Sequence, residues 1–440
     1  MRTFKNITSG LNEHVPNEWE VSKLNLIASL RRGPFGGALK VDSFVSEGYA
    51  VYEQQHAIHK KLNNIRYFID KNKYKEMQAF KVEENDILLS CSGTIGESVI
   101  IPTGHKEGII NQALLRIRLL RIDLNLEYFK YYMDSFLFQT LITDNSHGSA
   151  MKNIASMNVI NKIPVPVPSE GEQEKIVTFL NSKLRVLDKS IDIKYKILDL
   201  LEQQRQSIIT EAVTKGLNRN VKMKDSGVEW IGETPEHWGK KKIKHLVNRM
   251  SREAKPHHEV ITAFRDGQVT LRKNRREDGF TFSIKEIGYQ GINEGDLVVH
   301  QMDAFAGAIG VSDSEGKASP VYTVCTAKNE EEIYLPYLCE VIRVMSKKGY
   351  IESLAKGIRE RSTDFRWSDM GAVLSILPPK YEQIEITRYI DIKSNRVKIL
   401  ISDLRTSIDK LKEYRQSLIY EVVTGKIDVR DMEFDEVGEL

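Results

Sequence analysis

The stretch from Glu172 to Gly216 constrains the fold of this chain more than any other feature. It contains no proline or glycine before its last residue, and its apolar residues recur in alternating steps of four and three. This is the heptad pattern of a coiled-coil helix, interrupted at Lys194 and Arg205. Some 45 residues make a helix of roughly 65 Å at about 1.5 Å per residue. A helix of that length cannot bury its apolar stripe against itself, so the pattern predicts a second helix beside it.

A second stretch with the same pattern begins at Glu382, 210 residues after Glu172. A shift of 210 places the apolar positions of one stretch on those of the other, as with Leu180 on Ile390 and Ile208 on Leu418. The two ends are nearly identical, RQSIITEAVT against RQSLIYEVVT, with seven identities in ten positions. This is an internal duplication, and it supplies the second helix from the same chain.

The segments ahead of the two helices, here called head 1 and head 2, form a more diverged pair. Head 1 opens on a Pro-Asn-Glu-Trp run ending at Trp19, and head 2 on a Pro-Glu-His-Trp run ending at Trp238. The run NEGDLVVH (293–300) in head 2 corresponds to EENDILLS (83–90) in head 1. Short β-like runs between Gly, Asn and Asp turns, with a helical stretch at 126–143, predict a mixed α/β head in each half. We expect Trp19 and Trp238 to be packing anchors.

The order head, helix, head, helix predicts an α+β fold with internal pseudo-two-fold symmetry. The predicted segments are 1–168 (head 1 with an N-terminal arm), 169–217 (first long helix), 218–234 (linker), 235–379 (head 2), 380–425 (second long helix) and 426–440 (C-terminal tail).

Composition and missing motifs favour a binding protein over an enzyme. A hydrophobic content of 41% and a charged content of 28% are ordinary for a soluble globular protein, and a net charge of +3 means that any basic surface must be local. The sequence has no phosphate-binding G-x-x-x-x-G-K-[ST] run and no dinucleotide fingerprint. It also lacks the Asn-Pro-Pro-aromatic run of adenine methyltransferases. The His56/His59 and His257/His258 pairs lack a cysteine or carboxylate at metal-site spacing, so we expect no metal.

Three widely spaced cysteines, Cys91, Cys325 and Cys339, indicate reduced core thiols rather than a disulfide framework. The first residues contain no apolar region of the kind found in signal peptides, and no apolar run approaches the roughly 18–20 residues of a membrane span. We therefore expect a cytoplasmic protein that does not contact a membrane.

Several runs recur in a fixed order along the two halves of the chain. These runs are GPFGGALKVDSFVSEGYAVYEQQHAI (33–58), SGTIGESVIIP (92–102), HGSAMKNIASMNVINKIPVPVPSEGEQEKI (147–176), VEWIGETPEHW (228–238), DAFAGAIGVSDSEGKASPVY (303–322) and RQSLIYEVVTGKIDVR (415–430). By the order and duplication of these runs rather than by one sharp motif, the chain resembles the specificity (S) subunits of type I restriction-modification systems from about Pro16 to Arg430.

This resemblance implies that each head is a target recognition domain reading one half of a bipartite, asymmetric sequence in double-stranded DNA. The two helices would pack as an antiparallel coiled coil that fixes the gap between the halves. Two methyltransferase (M) subunits and restriction (R) subunits would be the partners. Methylation of adenine at N6 and ATP-dependent cleavage would belong to those partners, which would hold S-adenosylmethionine, ATP and Mg²⁺, while this chain binds no cofactor and has no catalytic residue.

Readout of DNA needs cations on phosphates and polar side chains aimed at base edges, carried by loops that approach closely. Each candidate is also open to a plainer interpretation, as a surface cation or an ordinary turn residue. In head 1 the candidates are Arg31, Arg32, Lys40, Lys60, Lys61, Ser92, Thr94, Asn111, Gln112, His147, Ser149 and Lys152. In head 2 they are Arg272, Lys273, Arg275, Arg276, Gln301, Asp303, Ser319, Tyr322, Lys356, Arg359, Arg361 and Arg366.

A different class of function stays open at this point, namely a coiled-coil scaffold that recruits proteins and binds no nucleic acid. Lys194, Arg205 and Arg415 in the apolar stripe either extend their charges into water or set the register against an acidic partner. The scaffold and the DNA reader differ in one observable, because only the DNA reader needs a basic, loop-rich surface on both heads.

Overall fold

The computed structural model describes residues 2–7, 13–144, 153–228, 230–275, 288–354 and 364–432. The chain forms two compact units. Unit 1 comprises Met1–Lys194 and Arg405–Leu440, and unit 2 comprises Tyr195–Leu404. Each unit therefore contains one head, part of the first long helix and part of the second.

The two long helices span Glu170–Lys215 and Lys380–Val423. The first begins where the Ser169 carbonyl accepts hydrogen bonds from the amides of Glu172 and Gln173, both at 2.9 Å. Each helix is followed by a glycine in the left-handed region, Gly216 at φ +74° and Gly425 at φ +71°, where a side chain would be strained. The predicted helices are confirmed, and each begins two residues before the heptad pattern does.

Within unit 1, the beginning of the first helix packs against the end of the second. Leu180 and Leu184 share a buried core with Leu418 and Val422. Arg415 Nε lies 2.8 Å from Asp188 Oδ1, so this interruption of the stripe does meet an acidic side chain of the other helix. Because the beginning of one helix packs on the end of the other, the two helical parts run antiparallel in this unit.

Unit 2 repeats the arrangement with the other ends of the same helices. Ile209 and Val213, late in the first helix, share a buried core with Ile386 and Ile390, early in the second. Arg205 pairs with Glu202 of its own helix at 3.2 Å. The mixed α/β heads, the long helices and their antiparallel packing inside each unit agree with the predicted fold class.

The central sheet of head 1 is antiparallel and four-stranded. Its strands, in spatial order, are Ala28–Arg32, Leu114–Leu119, Ile87–Ser90 and Ser98–Ile100. A second four-stranded sheet consists of Gly108–Ile110, Tyr49–Tyr52, Phe68–Ile69 and Phe44–Val45. Two-stranded pairs are Phe4–Asn6 with His14–Pro16, Glu20–Lys23 with Pro164–Val167, and Thr143–Asp144 with Asn153–Ile154. The helices are Leu24–Ile27, Gln54–His59, Lys71–Glu76, Leu126–Asp134, Phe136–Ile142 and Met157–Ile160.

Head 2 has a corresponding antiparallel sheet. Its strands, in spatial order, are Val247–Met250, Tyr322–Ala327, Leu297–His300 and Ile309–Val311. The other strands are Arg252–Glu253, Gln290–Ile292 and Gly316–Ala318, then Ile261–Ala263 with Val269–Leu271, Met223–Asp225 with Glu233–Pro235, and Gly239–Lys242 with Leu374–Leu377. The helices are Ile243–Leu246, Leu335–Lys347, Tyr350–Leu354 and Trp367–Ala372.

A buried aspartate marks the same position in both central sheets. Asp86 accepts hydrogen bonds from the Glu83 amide at 2.7 Å and from Arg118 Nε at 2.6 Å. Asp296 accepts from the Asn293 amide at 2.7 Å and from Arg252 Nη2 at 3.1 Å. A buried carboxylate needs a cationic partner. The duplication preserved the carboxylate, whereas the arginine that binds it comes from a different strand in each head.

Each head is fastened to the start of the long helix that follows it by a tryptophan and a glutamate. Trp19 Nε1 donates to Glu172 Oε2 at 2.9 Å, and Trp238 Nε1 donates to Glu382 Oε2 at 2.8 Å. Both indoles are 2% exposed, so the prediction that they are packing anchors is confirmed. We call each Trp–Glu pair a head clamp.

The next residue of each helix strengthens its clamp. Gln173 Oε1 accepts from the Asn125 amide at 2.7 Å, and its Nε2 donates to the carbonyls of Asp123 and Pro168. Gln383 uses the same three interactions in unit 2, with the Tyr334 amide at 2.7 Å and two carbonyls. Each glutamine is buried and fully hydrogen-bonded, which fixes the angle at which its helix leaves the head. Among the described residues, no helix combines the length and the apolarity needed to cross a membrane.

Candidate nucleic-acid interface

Three turns of head 1 leave the same edge of its central sheet. The Gly33 amide donates to Leu114 O at 2.9 Å, and the Cys91 amide donates to Ala113 O at 2.8 Å. The chain therefore enters or leaves three neighbouring strands side by side at 33–35, 91–97 and 111–113. We call this the head 1 edge. Four of the nine described head 1 candidates lie on it, and Arg31 and Arg32 end the strand that enters its first turn.

Arg31 and Arg32 end the strand Ala28–Arg32, directly before the first turn of the edge. Arg31 is exposed, and the Arg32 guanidinium lies 5.0 Å from the centre of the Phe35 ring, which is itself 66% exposed. A Cβ on Gly33 would stand 1.8 Å from Asn111 O, so only glycine permits this approach. The backbones at Gly33 and Asn111 are therefore in close contact, which places the turn after the two arginines beside the turn that contains Asn111 and Gln112.

Asn111 and Gln112 have different roles in the second turn. Asn111 Oδ1 accepts from the Ala113 amide at 3.0 Å, so part of this side chain is used to hold the turn. Gln112 is exposed. A glutamine amide can donate and accept at once, which is the chemistry that recognises an adenine edge. Gln112 is therefore the better placed of the two for base contact.

The third turn presents Ser92, Gly93 and Thr94. Ser90 Oγ donates to Thr94 O at 2.6 Å and accepts from the Glu97 amide at 3.1 Å, which closes the turn from inside. Gly93 adopts φ +66°, and no atom lies within 4 Å of the position of its missing Cβ. Thr94 is exposed, so the outer side of the turn is open to a large ligand.

The remaining head 1 lysines are less closely tied to the edge. Lys60 Nζ lies 3.9 Å from Glu97 Oε2, which places it beside the third turn. Lys61 lines a cavity of about 370 Å³ with His56 and His59. Lys40 is exposed between two short 3₁₀ turns. His56 is a buried structural histidine, because its Nδ1 accepts from the Glu53 amide at 2.8 Å and its Nε2 lies 3.0 Å from Asn64 O.

Head 2 presents a corresponding edge, which we call the head 2 edge. The Gln301 amide donates to Val321 O at 2.9 Å, and the Tyr322 amide donates to Ser319 O at 3.2 Å. Gln301 Nε2 also donates to Thr323 Oγ1 at 3.1 Å. Gln301, Ser319 and Tyr322, which the sequence analysis named as separate candidates, therefore lie together.

Tyr322 and Asp303 are more constrained than a free DNA-contacting side chain. Tyr322 is 7% exposed, burial raises the pKa of its hydroxyl, and its ring lies edge-on to His300 with 4.6 Å between the centroids. Burial also lowers the pKa of His300, whose Nδ1 accepts from the Asp303 amide at 3.1 Å. Tyr322 and Asp303 therefore pack against or hydrogen-bond to other residues of the edge instead of extending freely into solvent.

The basic run of head 2 is largely paired with carboxylates or neighbouring side chains. Arg272 Nε donates to Thr262 Oγ1 at 3.2 Å, and Lys273 forms an ion pair with Glu259. Arg275 lies 2.8 Å from Asp266 Oδ2 and stacks over Phe264. Arg366 is 70% exposed and pairs with Asp364 at 2.6 Å. Such exposed pairs contribute little energy and exchange readily for phosphate.

Arg265 is a candidate that the sequence analysis missed. Its side chain is 67% exposed and lies 2.8 Å from Asp303 Oδ1, on the turn of the hairpin formed by Ile261–Ala263 and Val269–Leu271. The Asp266-Gly267 pair that follows is a hairpin signal, and Gly267 adopts φ +96°. This signal could have identified the turn, although not the edge to which it returns.

Seven candidates lie outside the described residues, namely His147, Ser149, Lys152, Arg276, Lys356, Arg359 and Arg361. The chain next to two of these segments touches the edges. In head 1, Gln139 belongs to the helix Phe136–Ile142, which precedes the segment that contains His147. Its Nε2 donates to Gly96 O at 3.0 Å. The Phe365 amide donates to Gln301 O at 3.0 Å in head 2.

The fold also brings Glu315 to the two adjacent histidines of head 2, which spacing could not reveal. Possible ligand atoms of His257, His258 and Glu315 lie within 4.8 Å of one another. His258 Nε2 is 3.1 Å from Glu315 Oε1, and Lys255 Nζ approaches the same oxygen at 2.5 Å. The lysine supplies the positive charge that this carboxylate needs, so the group is explained as an ion-pair network.

Comparison with known proteins identifies this architecture. Residues 16–203 match the model of the type I restriction modification DNA specificity domain. These residues belong to that domain family. The chain as a whole is also similar to a specificity subunit, because it is 20% identical over 380 residues to the type I restriction enzyme StySPI specificity subunit of Salmonella potsdam, covering 82% of this chain and 78% of the relative. The resemblance inferred from the sequence is confirmed.

A solved structure shows the same fold. This structure, described as the structural basis underlying complex assembly and conformational transition of the type I R-M system, has a TM-score of 0.68 at 13% identity and covers 94% of this chain and 99% of its own. The HsdS subunit from Thermoanaerobacter tengcongensis has a TM-score of 0.48 at 12% identity, with 94% and 98% covered. We therefore interpret the two edges as surfaces of a protein similar to type I specificity subunits.

Proposed function

We propose that this chain reads a bipartite, asymmetric DNA target, with the head 1 edge contacting one half and the head 2 edge the other. Both edges combine exposed or half-buried cations with polar turns. Arg31 and Arg32 accompany Gln112 and Thr94 in head 1, and Arg265 accompanies Gln301 in head 2. Cations position a protein on phosphates, while amide and hydroxyl groups discriminate bases. The two sets of side chains differ, so the two half-sites would differ in sequence.

The repeated head clamp is the observation that carries this proposal. Trp19 with Glu172 and Trp238 with Glu382 fix two heads to two helices by the same hydrogen bonds, whereas the edges have diverged. Identical attachment of the two heads combined with diverged edges is the pattern expected when one duplicated framework binds two different ligands. A scaffold that only recruits proteins has no need of two diverged polar edges at equivalent positions.

We further propose that the long helices set the distance between the half-sites and offer docking surfaces to methyltransferase (M) and restriction (R) subunits. A flexible linker fluctuates in length, but a paired helix does not. Adenine methylation and ATP-dependent cleavage would then be carried out by those subunits, which would hold S-adenosylmethionine, ATP and Mg²⁺. This chain would contribute target choice and no catalytic group.

The test uses the M subunit that we propose as the partner of this chain. Methylome sequencing of cells that express both gives the target, and duplexes with either half-site scrambled then give the affinity for each half. We expect Gln112→Ala to weaken discrimination at one half-site by roughly 10–100-fold, since a good base contact contributes about 1–3 kcal/mol, and Arg32→Ala in the same double variant to remove a phosphate contact beside it. Gln301→Ala combined with Arg265→Ala should act on the other half-site alone.

The control is Lys71→Ala, an exposed cation on a short helix of head 1 that forms no part of the edge. It should leave the preference for both half-sites unchanged. Binding that ignores the sequence of both halves, or a double variant of one head that weakens both halves equally, would contradict the proposal.

A further inference from the structure

Arg2 completes the head clamp of unit 1. Its Nη2 lies 2.5 Å from Glu172 Oε1, its Nε lies 2.7 Å from Glu18 Oε1, and its guanidinium lies 5.2 Å from the centre of the Trp19 ring. The side chain is only 8% exposed. The clamp carboxylate of unit 1 is therefore neutralised by an arginine from the same chain.

The corresponding position in unit 2 is Val221. Lys5 Nζ donates to the carbonyls of Asn17 and Trp19, and Lys224 Nζ donates to those of Glu236 and Trp238. The pairing of Phe4 with Pro16 and of Met223 with Pro235 gives the same alignment. Counting back three residues from each lysine puts Val221 where unit 1 has Arg2. The duplicated hairpin thus has no arginine at this place.

A cavity of about 300 Å³ opens beside Val221, lined also by His237, Tyr381, Glu382 and Glu385. Glu382 keeps the tryptophan bond of the clamp through Oε2. Its Oε1 contacts His237 Nε2 at 2.7 Å and the Tyr381 hydroxyl at 3.1 Å, and both of those side chains are exposed. The Glu382 side chain is 18% exposed, against 7% for Glu172, so the carboxylate can be reached from outside.

Two further differences from unit 1 make this cavity suited to a cation. Lys175 of the first helix corresponds to Glu385 in the second, by the shift of 210. Glu385 is exposed and forms no ion pair among the described residues. Gly171 corresponds to Tyr381, whose ring is 64% exposed. The hydrogen bond to Glu382 and the charges of Glu382 and Glu385 raise the pKa of Tyr381, which reports the negative potential of the cavity.

We propose that this cavity, here called the arginine pocket, binds an arginine side chain presented by another polypeptide. The pocket offers two carboxylates and an aromatic ring, and unit 1 fills the equivalent place with a guanidinium. A guanidinium can bind carboxylates bidentately and stack on a ring at once, which an ammonium group cannot do. The identification of that polypeptide as a subunit of the complex rests on the proposed function.

The binding test uses the full chain and N-acetyl-L-arginine methylamide as the probe, followed by ligand-observed NMR. The isosteric but neutral N-acetyl-L-citrulline methylamide and the corresponding lysine compound are the comparison ligands. We expect the arginine probe to bind at least fivefold more tightly than either. Val221→Arg should abolish this preference, because it supplies from this chain the group that Arg2 supplies in unit 1.

Glu385→Gln is the second variant, since its exposed side chain can be changed without disturbing the core. It should weaken the arginine probe severalfold, whereas Glu413→Gln, an exposed glutamate elsewhere on the same helix, should have no effect. Equal binding of arginine and citrulline, or probe binding that Val221→Arg and Glu385→Gln leave unchanged, would overturn the proposal.

The partner test measures assembly of the full chain with its M subunit. We expect Val221→Arg to weaken association at least tenfold, whereas Glu413→Gln, the exposed control of the binding test, should assemble as the unmodified chain does. If the variant assembles normally and its complex still reads a bipartite target, the arginine pocket is refuted and the proposed function stands. Loss of half-site recognition in the unmodified complex would refute the proposed function alone.

Discussion

Glu172 and Glu382 occupy equivalent positions and make the same bond to a tryptophan, yet they differ in the charge that faces them. Glu172 is balanced by Arg2, which is 8% exposed, whereas Glu382 is approached by the exposed side chains of His237 and Tyr381. Removing one partner of a buried ion pair leaves the other charge uncompensated, which costs more than losing an exposed contact. The two clamps should therefore respond differently to the same substitution.

We expect Glu172→Ala to destabilise the start of the first helix by about 3 kcal/mol, because it leaves Arg2 and the Trp19 indole without their acceptor. Glu382→Ala should cost only about 1–2 kcal/mol. Hydrogen exchange followed by mass spectrometry measures each effect locally, and the first change corresponds to roughly 100-fold faster exchange. Glu174→Ala, an exposed neighbour, is the control. Equal effects of the two clamp substitutions would show that Arg2 contributes nothing.

Single residues also show where prediction from sequence ends. The glycine-rich turn after Arg32 is visible in the sequence, but the reason for Gly33 is the backbone of Asn111, 78 residues away in the chain. Tyr322 is a polar candidate at the start of a strand, yet it is buried against His300. Residue type and position identify the edge, whereas the direction of each side chain depends on contacts that are distant in sequence.

Among the elements, the long helices are the most predictable, because an uninterrupted heptad pattern leaves few alternatives. The short hairpins are the least predictable. Phe4–Asn6 with His14–Pro16 and Met223–Asp225 with Glu233–Pro235 are copies of one hairpin, although the sequence suggests only a polar arm and a linker. Their relation depends on one lysine in each copy that caps two carbonyls, and a single conserved side chain is too weak a signal to find by pattern.

The helix pair makes a prediction of its own. Deleting Ile191–Ile197 from the first helix together with the equivalent Ile401–Ser407 from the second removes one heptad from each and keeps the apolar stripes aligned. The pair becomes shorter by about 10 Å. If the helices set the distance between half-sites, the preferred spacer should shorten by about three base pairs at 3.4 Å each, with unchanged half-site sequences.

Methylome sequencing of the double-deletion strain measures the spacer directly. Deleting the heptad from the first helix alone is the matched control, because it removes apolar residues from one stripe only and should destabilise the protein instead of resetting the spacer. A folded double deletion that methylates the original spacer would refute the role of the helices as a ruler.

At the scale of the whole molecule, charge balance decides how the chain can bind DNA. The net charge is only +3, and much of the basic run of head 2 is already paired with carboxylates. Attraction of the entire protein to a polyanion is therefore weak, so under the proposed function DNA binding would come from the local cations at the edges together with those of partner subunits. Composition alone predicts this division, whereas the identity of the cations required the fold.

The salt dependence of binding separates these contributions. Each phosphate neutralised by a cation adds about 0.9 to the slope of log affinity against log salt concentration. In complex with the M subunit, Arg31→Ala combined with Arg32→Ala should reduce the magnitude of that slope by about 2, as measured by fluorescence anisotropy between about 50 and about 200 mM salt. Gln112→Ala should leave the slope unchanged and reduce discrimination at one half-site. A slope that the double arginine variant leaves intact would place the phosphate contacts away from the head 1 edge and remove the charge basis for its role in DNA binding.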